Sequence, residues 1–305
     1  MSTTATTSTK HVNFFDQMSK NKRDSVILIF LILGVLYSFV YIIAQVYNPG
    51  LTFVLLSFSI IITLMHTTMS YYKGADIVLK STKAIPADPK KYLHYHNVAE
   101  GLAIAAGIPK PKLYILPSPE INAFASGRDP KHAVIAVTEG ALQKLDRQEL
   151  EGVIAHEMSH IGNYDIRFSM LVAVFVGLVA ILSEMFMYSM WFGGGNRNND
   201  RQGGGLLIVA GILLAIVAPI AVRMVQLAIS RKREFLADAT GAKLTRHPEG
   251  LASALEKIKK YNEGNMKVSE AVSHMFLSDP KKSFMDNIFA THPPVDERIR
   301  LLKAM

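Results

Sequence analysis

A pentapeptide near the middle of the chain, His156-Glu157-Met158-Ser159-His160, has residue types and a spacing that suit hydrolytic metal chemistry. Because residues four apart lie on one face of an α-helix, both imidazoles can point at one metal ion. Zinc suits such nitrogen ligands and lowers the pKa of a bound water to about 7. Glu157 projects about 100° away around the helix, so its carboxylate can take the proton of that water. The pentapeptide therefore offers two metal ligands and one general base.

A zinc site of this type needs a third protein ligand, and the chain contains no cysteine that could supply it. The segment after Arg231 offers Glu234 and Asp238, which are four residues apart and so share a helical face. Glu234 is the candidate ligand, and Asp238 could hold the distal N–H of a ligand histidine. Taken alone, two carboxylates on a basic helix are more typical of a solvated surface. The choice between the two interpretations depends on where the chain places this segment.

Four apolar segments are long enough to cross a lipid bilayer as helices. Half of all residues are hydrophobic and only 19% are charged, which is unusual for a soluble domain. A spanning helix needs about 20 predominantly apolar residues. That length is reached at residues 25–47, 51–72, 168–192 and 206–229. The first segment exceeds the apolar core of a cleavable signal peptide and has no small-residue cleavage site after it. We therefore predict four transmembrane helices in two hairpins.

The positions of lysine and arginine predict the orientation of these hairpins. Basic residues precede the first segment and follow the second and fourth, whereas the turn Asn48-Pro49-Gly50 has none. Because positive flanks favour the cytoplasmic side, we expect both termini and residues 73–167 on the cytoplasmic face of the cell (inner) membrane. The second hairpin then returns the chain to that face, which brings Glu234 near His156 and His160. The formal charge of +8 follows from topology, and no motif indicates a nucleic-acid partner.

The chain thus divides into a membrane part and a soluble domain that is split in two. Residues 1–24 are predicted to form a cytoplasmic tail, and residues 25–72 and 168–230 the two hairpins. The soluble domain then consists of residues 73–167, which carry the metal motif, and residues 231–305, which carry the third ligand.

Local patterns predict a mainly α-helical domain with a small antiparallel sheet. Tyr92–Ala106 is expected to be a helix that ends at Gly107. Asp146 followed by Glu149 indicates a capping box at the start of the helix that carries the metal motif. Short apolar runs between clusters of proline, glycine and serine predict strands at Lys112–Leu116, Ile121–Ala125 and Ala133–Val137.

The combination of motifs resembles the HtpX family of membrane zinc metalloproteases, which is related to prenyl-protein proteases of the Ste24 type. The matching segments, in chain order, are INAFASG at 121–127, TEGAL at 138–142, HEMSH at 156–160, REFLADATGA at 233–242 and THPPVDERIRLL at 291–302. The resemblance implies a gluzincin-type zinc metalloprotease domain combined with the membrane helices. It also implies one Zn²⁺ per chain and the cleavage of membrane-protein or other polypeptide substrates at the cytoplasmic face, in stress-linked quality control.

Further site residues follow from the resemblance by position. Asn122, Ala123, Phe124 and Ala125 would form an edge strand that pairs with an extended substrate, although the same residues also fit an ordinary strand. His292 and Arg298 would lie near the active site, where a cation could stabilise an oxyanion. For this pair the alternative is structural, since His292-Pro293-Pro294 also fits a helix start and Arg298 a solvated helical position.

The sequence favours an integral-membrane zinc endopeptidase over three other protein classes. A non-catalytic scaffold with a vestigial metal site is disfavoured because both histidines, Glu157 and Glu234 are intact. A prenyl-protein-type protease is disfavoured because only four spans are predicted. A transporter would need polar residues deep in several spans. The lipid bilayer is a predicted partner, and the sequence indicates no oligomeric state.

Overall fold

The computed structural model describes most of the soluble domain and part of the segments around it. The continuous stretches are residues 49–169, 233–268, 270–280 and 292–305, with isolated positions within 23–45 and 183–231. Nearly all of the predicted tail at 1–24 lies outside the described residues. The same holds for most of the predicted transmembrane segments 25–47, 168–192 and 206–229.

Helix α1 spans Thr52–Ser81 and follows a 3₁₀ turn at Pro49–Leu51. It contains nearly all of the predicted transmembrane segment 51–72. Its exposed surface is rich in apolar side chains, among them Phe53 and Met65. Among the described residues, however, no helix meets the length and hydropathy of a membrane span. The structure therefore does not confirm the four predicted transmembrane helices.

Four strands form one sheet beside the metal motif. They are β1 (Ile85–Pro86), β2 (Lys112–Leu116), β3 (Ala123–Ser126) and β4 (Val134–Thr138). Their order is β1-β2-β4-β3, in which β2 and β4 are parallel while the two outer pairs are antiparallel. The sheet is therefore mixed, and the prediction of an antiparallel sheet is wrong in this respect.

The mixed pairing arises because β4 lies between β2 and β3. Residues 127–133 join β3 and β4 as an antiparallel hairpin, and the connection from β2 places β3 at the outer edge. Every residue of β4 is buried, as expected for an inner strand that is covered on both faces. Apolar runs mark where strands lie, but they do not specify which strands become neighbours.

Helices surround the sheet. Helix α2 spans Leu93–Ala106 and ends at Gly107, whose φ of 64° is left-handed, and this confirms the predicted helix end. The helices after the sheet are α3 (Glu139–Lys144), α4 (Arg147–Gly162), α5 (residues 233–245), α6 (Pro248–Tyr261), α7 (Glu270–Ser273) and α8 (Val295–Lys303).

The sheet separates two hydrophobic cores. One face packs against α2, α4 and α6, and the opposite face packs against the end of α1 and residues 266–276. Helix α4 lies inside the first core. At Gly152 an added Cβ would lie only 2.6 Å from the backbone nitrogen of Leu251, so α4 and α6 touch through their backbones. This close packing holds the helix that carries the metal motif.

Candidate metal centre

Helix α4 presents the predicted metal motif in its second half. The predicted capping box is present: Glu149 N donates to Asp146 Oδ1 at 3.0 Å, and Asp146 N donates to Glu149 Oε2 at 2.8 Å. These bonds satisfy two backbone donors that would otherwise be unpaired at the helix start. Downstream, His156 and Glu157 are each only 1% exposed. The motif therefore lies in the interior of the domain, and its polar groups need partners there.

Helix α5 supplies those partners because it passes very close to α4. A Cβ added at Gly241 would lie 3.1 Å from the backbone nitrogen of His156, so the two backbones are in near contact. At this distance Asp238 reaches one ring nitrogen of His156, and Glu234 reaches both histidines. In the described residues, the helix that carries Glu234 therefore lies beside the helix that carries both histidines.

Three side chains form a group that could hold one metal ion: His156, His160 and Glu234. The two Nε2 atoms of the histidines are 3.2 Å apart. Oxygens of Glu234 lie 3.6 Å from His156 Nε2 and 3.5 Å from His160 Nε2. Ligands about 2.0–2.1 Å from a tetrahedral zinc ion lie about 3.3–3.4 Å from each other. The spacing of these atoms therefore fits a zinc ion among them.

Carboxylates outside this group orient the two imidazole rings. His156 Nδ1 lies 2.9 Å from Asp238 Oδ1, which is the contact expected for Asp238 from the sequence. His160 Nδ1 lies 3.2 Å from Asp165 Oδ2. Because a carboxylate holds each Nδ1, both Nε2 atoms are directed towards the shared point.

Asp165 is a site residue that the sequence analysis missed. Helix α4 ends at Gly162, and Tyr164 then adopts a left-handed φ of 61°. This reversal returns Asp165 towards His160. The sequence signal was an aspartate a few residues after the second histidine, but its contact depends on a backbone conformation that tyrosine seldom adopts.

Arg298 and His292 occupy different positions at the site. Arg298 is completely buried and donates to both oxygens of Asp238, at 2.8 and 2.7 Å, and to the carbonyl oxygen of Leu277 at 3.0 Å. It therefore holds Asp238, which in turn holds a ligand histidine. His292 Nδ1 lies 3.0 Å from Glu234 Oε2, so it contacts the candidate ligand directly.

Unsatisfied buried atoms mark the centre of the site. Glu234 Oε2 and both ring nitrogens of His292 are buried and have no hydrogen-bond partner among the described residues. A buried polar group without a partner is costly. A cation bound beside Glu234 would satisfy this oxygen, so the orphaned atoms also fit a metal site.

The charges of the buried cluster point the same way. Four carboxylates face two guanidinium groups here; the carboxylates belong to Glu157, Asp165, Glu234 and Asp238, and the guanidinium groups to Arg233 and Arg298. With neutral histidines and an ionised Glu157, two negative charges remain, which one zinc ion would balance. The donor set thus matches a divalent cation in charge as well as in spacing.

These surroundings shift the proton affinities of the site. Burial raises the pKa of Glu157, and the nearby histidines reduce this rise without cancelling it. The carboxyl group is therefore more easily protonated than that of an ordinary glutamate. Burial would also raise the pKa of Asp238, but Arg298 and His156 outweigh it and lower the pKa to about 2. For His160, burial lowers the pKa, yet Asp165 and Glu234 prevail and raise it to about 10.

A small cleft opens beside the metal group. Glu157, His160 and Glu234 line it, together with Ala125 of β3 and with His274 and Met275 from the opposite wall. The predicted general base and two predicted ligands therefore face one accessible space. His274 was missed by the sequence analysis because no spacing connects it to the metal motif.

The predicted substrate-pairing strand lies at the sheet edge, but its first part is covered by the chain itself. Leu277 N donates to Ala123 O at 2.8 Å, and Phe124 forms an antiparallel bridge with Phe276. The side chain of Asn122 donates to Ser278 O at 2.9 Å. Of the four predicted residues, Ala125 is the one that lines the cleft.

A buried helix with two histidines and a glutamate, completed by a glutamate from a second helix, is an arrangement typical of zinc metallopeptidases. Comparisons with known proteins agree. Residues 89–305 match Peptidase family M48, and the chain belongs to this family, whose members are metalloproteases.

Curated relatives share nearly the full length of the chain. A "Protease HtpX homolog" from Caldanaerobacter subterraneus subsp. tengcongensis is 45% identical over 294 residues, which covers 95% of this chain and 97% of the relative. A second protein of that name, from Dictyoglomus thermophilum, is 40% identical and covers 97% of this chain and 96% of its own. The crystal structure of S. mikatae Ste24p aligns with a TM-score of 0.49 at 21% identity. That alignment covers 94% of this chain and 66% of the other, slightly under two thirds of its length.

Asp165 gives a direct test of this geometry. In Asp165→Asn the charge that orients His160 is lost, and we expect zinc affinity to fall about 10- to 100-fold, measured by competition with a fluorescent chelator. The control is Asp129→Asn, which changes a comparable contact outside the site, the 2.7 Å pair of Asp129 and His132. An Asp165 variant with the zinc affinity of the parental protein would contradict the orienting role.

Proposed function

We propose that the protein is an integral-membrane zinc endopeptidase that cleaves misfolded or damaged membrane proteins at the cytoplasmic face. The observation that carries this proposal is the convergence of His156, His160 and Glu234 on one point, with Glu157 beside it in the same cleft. Family membership supports the peptidase activity.

The residues of the site have separable roles in peptide hydrolysis. His156, His160 and Glu234 would hold zinc, which supplies Lewis-acid chemistry and makes a water acidic enough to attack at neutral pH. Glu157 accepts the proton of the attacking water and delivers it to the leaving amine. Burial favours this exchange because the raised pKa of Glu157 makes its carboxylate a stronger base than that of an ordinary glutamate.

Of the two cations suggested for the oxyanion, His292 fits better than Arg298. Arg298 is committed to Asp238 and Leu277 and has no exposed surface, so we assign it a positioning role. His292 lies beside Glu234 with both ring nitrogens free of hydrogen bonds to the described residues. A donor in that place could stabilise the negative charge that develops on the substrate carbonyl.

Substrate pairing with the sheet edge is proposed only at Ala125. The preceding edge positions are occupied by residues 276–278. Ala125 is the point at which β3 reaches the cleft, so an extended substrate could meet the sheet edge there.

The proposed membrane placement rests on apolar exposure and on charge. Between residues 53 and 65, α1 exposes a run of large hydrophobic side chains, comprising Phe53, Val54, Phe58, Ile60, Ile61, Ile62, Leu64 and Met65. A surface of this kind in water is unfavourable, and lipid is one environment that suits it. The basic flanks described above set the proposed orientation.

Topology can be tested with fused reporters. A reporter after Met305, or one between Lys80 and Lys91, should be cytoplasmic, whereas a reporter within residues 193–205 should be external, because the basic flanks remain inside. The readout is an enzyme pair whose members are active on opposite sides of the membrane. An external reporter after Met305 would contradict the proposed placement of the site.

Glutamine substitutions at Glu157 and Glu234 distinguish the general base from the metal ligand. Glu157→Gln keeps the volume of the side chain but cannot accept a proton, so we expect zinc to remain while turnover falls about 10²- to 10⁴-fold. Glu234→Gln should instead lose zinc, because a neutral amide is a poorer ligand than a carboxylate. Bound zinc and casein cleavage are measured for both variants in the same detergent.

The two substitutions are chemically identical, so each serves as the control for the other. If Glu157→Gln loses zinc as readily as Glu234→Gln, or cleaves casein at the parental rate, the assignment of Glu157 as the base is wrong.

A further inference from the structure

Arg233 is a buried cation, and the described residues leave part of its hydrogen-bonding capacity unused. The side chain is 4% exposed, and the described residues offer its Nη1 no hydrogen-bond partner. A guanidinium has five N–H donors and stays protonated in proteins. Since burying an unsatisfied charged donor is costly, a functional reason for its position is needed.

Arg233 lies in the wall of the catalytic cleft. It lines that space together with Glu157, His160 and Glu234, so its free donors lie beside the reacting groups. Arg233 immediately precedes the ligand Glu234 in the chain, and α5 therefore holds it at a fixed place relative to the metal group.

Its neighbours hold the guanidinium in place without satisfying it. The central carbon Cζ lies 4.0 Å from the ring centre of Phe168, a cation–π contact. Asp165 and Glu234 attract the charge from a distance, but neither forms a hydrogen bond with it among the described contacts. A rigid donor of this kind loses little entropy when an acceptor arrives.

We propose that Arg233 is a substrate-binding residue that donates to a main-chain carbonyl oxygen of the peptide next to the scissile bond. This inference rests on the proposed endopeptidase function and adds a residue to it. Arg233 orients the substrate so that the scissile carbonyl lies between Glu157 and the metal ligands.

The charges of the site identify the acceptor as a neutral carbonyl. Four buried carboxylates are balanced by Arg233, Arg298 and one divalent cation, so the loaded site is neutral overall. An acidic side chain or a terminal carboxylate would add an uncompensated charge to this low-dielectric space. A peptide carbonyl satisfies the donor without that cost, which suits cleavage within a chain.

Binding to an inactive protein tests this assignment independently of turnover. The probe is a fluorescein-labelled octapeptide of alanine and leucine, and the host is zinc-loaded Glu157→Gln protein with either arginine or methionine at position 233. Methionine retains an apolar stem over Phe168 and removes the donors. Both proteins are loaded to one zinc per chain before the titration, and we expect Arg233→Met to raise Kd about 10- to 100-fold, the range for a hydrogen bond to a charged group.

A peptide series then locates the acceptor. Each central amide is replaced in turn by a methylene-amine linkage, which removes one carbonyl oxygen. For one member of the series, the arginine and methionine proteins should bind with nearly equal Kd, since the acceptor is gone. The control variant is Arg167→Met, because Arg167 is also partly buried and packs on tyrosine rings, but does not line the cleft. It should bind like the parent.

Two results would overturn the inference. They are equal peptide binding with arginine and methionine at position 233, and an effect of the substitution that no carbonyl replacement removes. The parental protein, which retains Glu157, is assayed for casein cleavage. If it does not cleave casein although peptides bind in an Arg233-dependent way, the proposed function fails while the assignment of Arg233 stands.

Discussion

The site is organised around four buried carboxylates, two more than the described guanidinium groups balance in charge. These carboxylates lie where distant parts of the chain meet. Glu157, Asp165, Glu234 and Asp238 are all at least nine-tenths buried. Even after relaxation, burying an ion costs several kcal/mol. The described cluster compensates two of the four with Arg233 and Arg298. The remaining two negative charges, which lie beside a pair of imidazoles, favour the binding of a divalent cation.

The same charges connect the site to the fold. Arg298 reaches from α8 to Asp238 on α5, and Asp238 holds His156 on α4. Arg298 also binds the carbonyl oxygen of Leu277, which belongs to the segment that covers the first part of the β3 edge. The interaction that orients a metal ligand therefore also determines which part of the sheet edge is left for the cleft. A substitution of Arg298 in α8 would therefore affect both the orientation of His156 and the segment that covers the β3 edge.

Local features of the site were predictable from the sequence, and long-range features were not. The spacing of His156 and His160, the capping box at Asp146 and the helix end at Gly107 each depend on a few neighbouring residues. Glu234 could be assigned because two separate segments had to meet at one membrane face, although the spans themselves are not confirmed. The direction of β4 could not be derived, because it depends on which strand occupies the edge.

Other roles depended on contacts that no sequence pattern encodes. Asp165 reaches His160 only through the left-handed turn at Tyr164. Arg298 resembled a solvated helix residue, yet it is completely buried because Asp238 and Leu277 surround it. Arg233 belongs to the basic flank after the fourth predicted span, and its place in the cleft follows from the packing of α5 against α4. The position of Asp165 is specified by a local turn, and those of Arg298 and Arg233 are specified by tertiary packing. None of the three follows from local periodicity.

The central claim is that His156, His160 and Glu234 together hold one zinc ion, and X-ray absorption spectroscopy of the zinc-loaded protein tests it most directly. The account predicts one zinc per chain with a first shell of nitrogen and oxygen at about 2.0–2.1 Å and the outer-shell scattering of two imidazoles. A shell that contains three imidazoles would mean that His292 displaces Glu234, and a shell without imidazole would place the metal elsewhere. Either result would contradict the account.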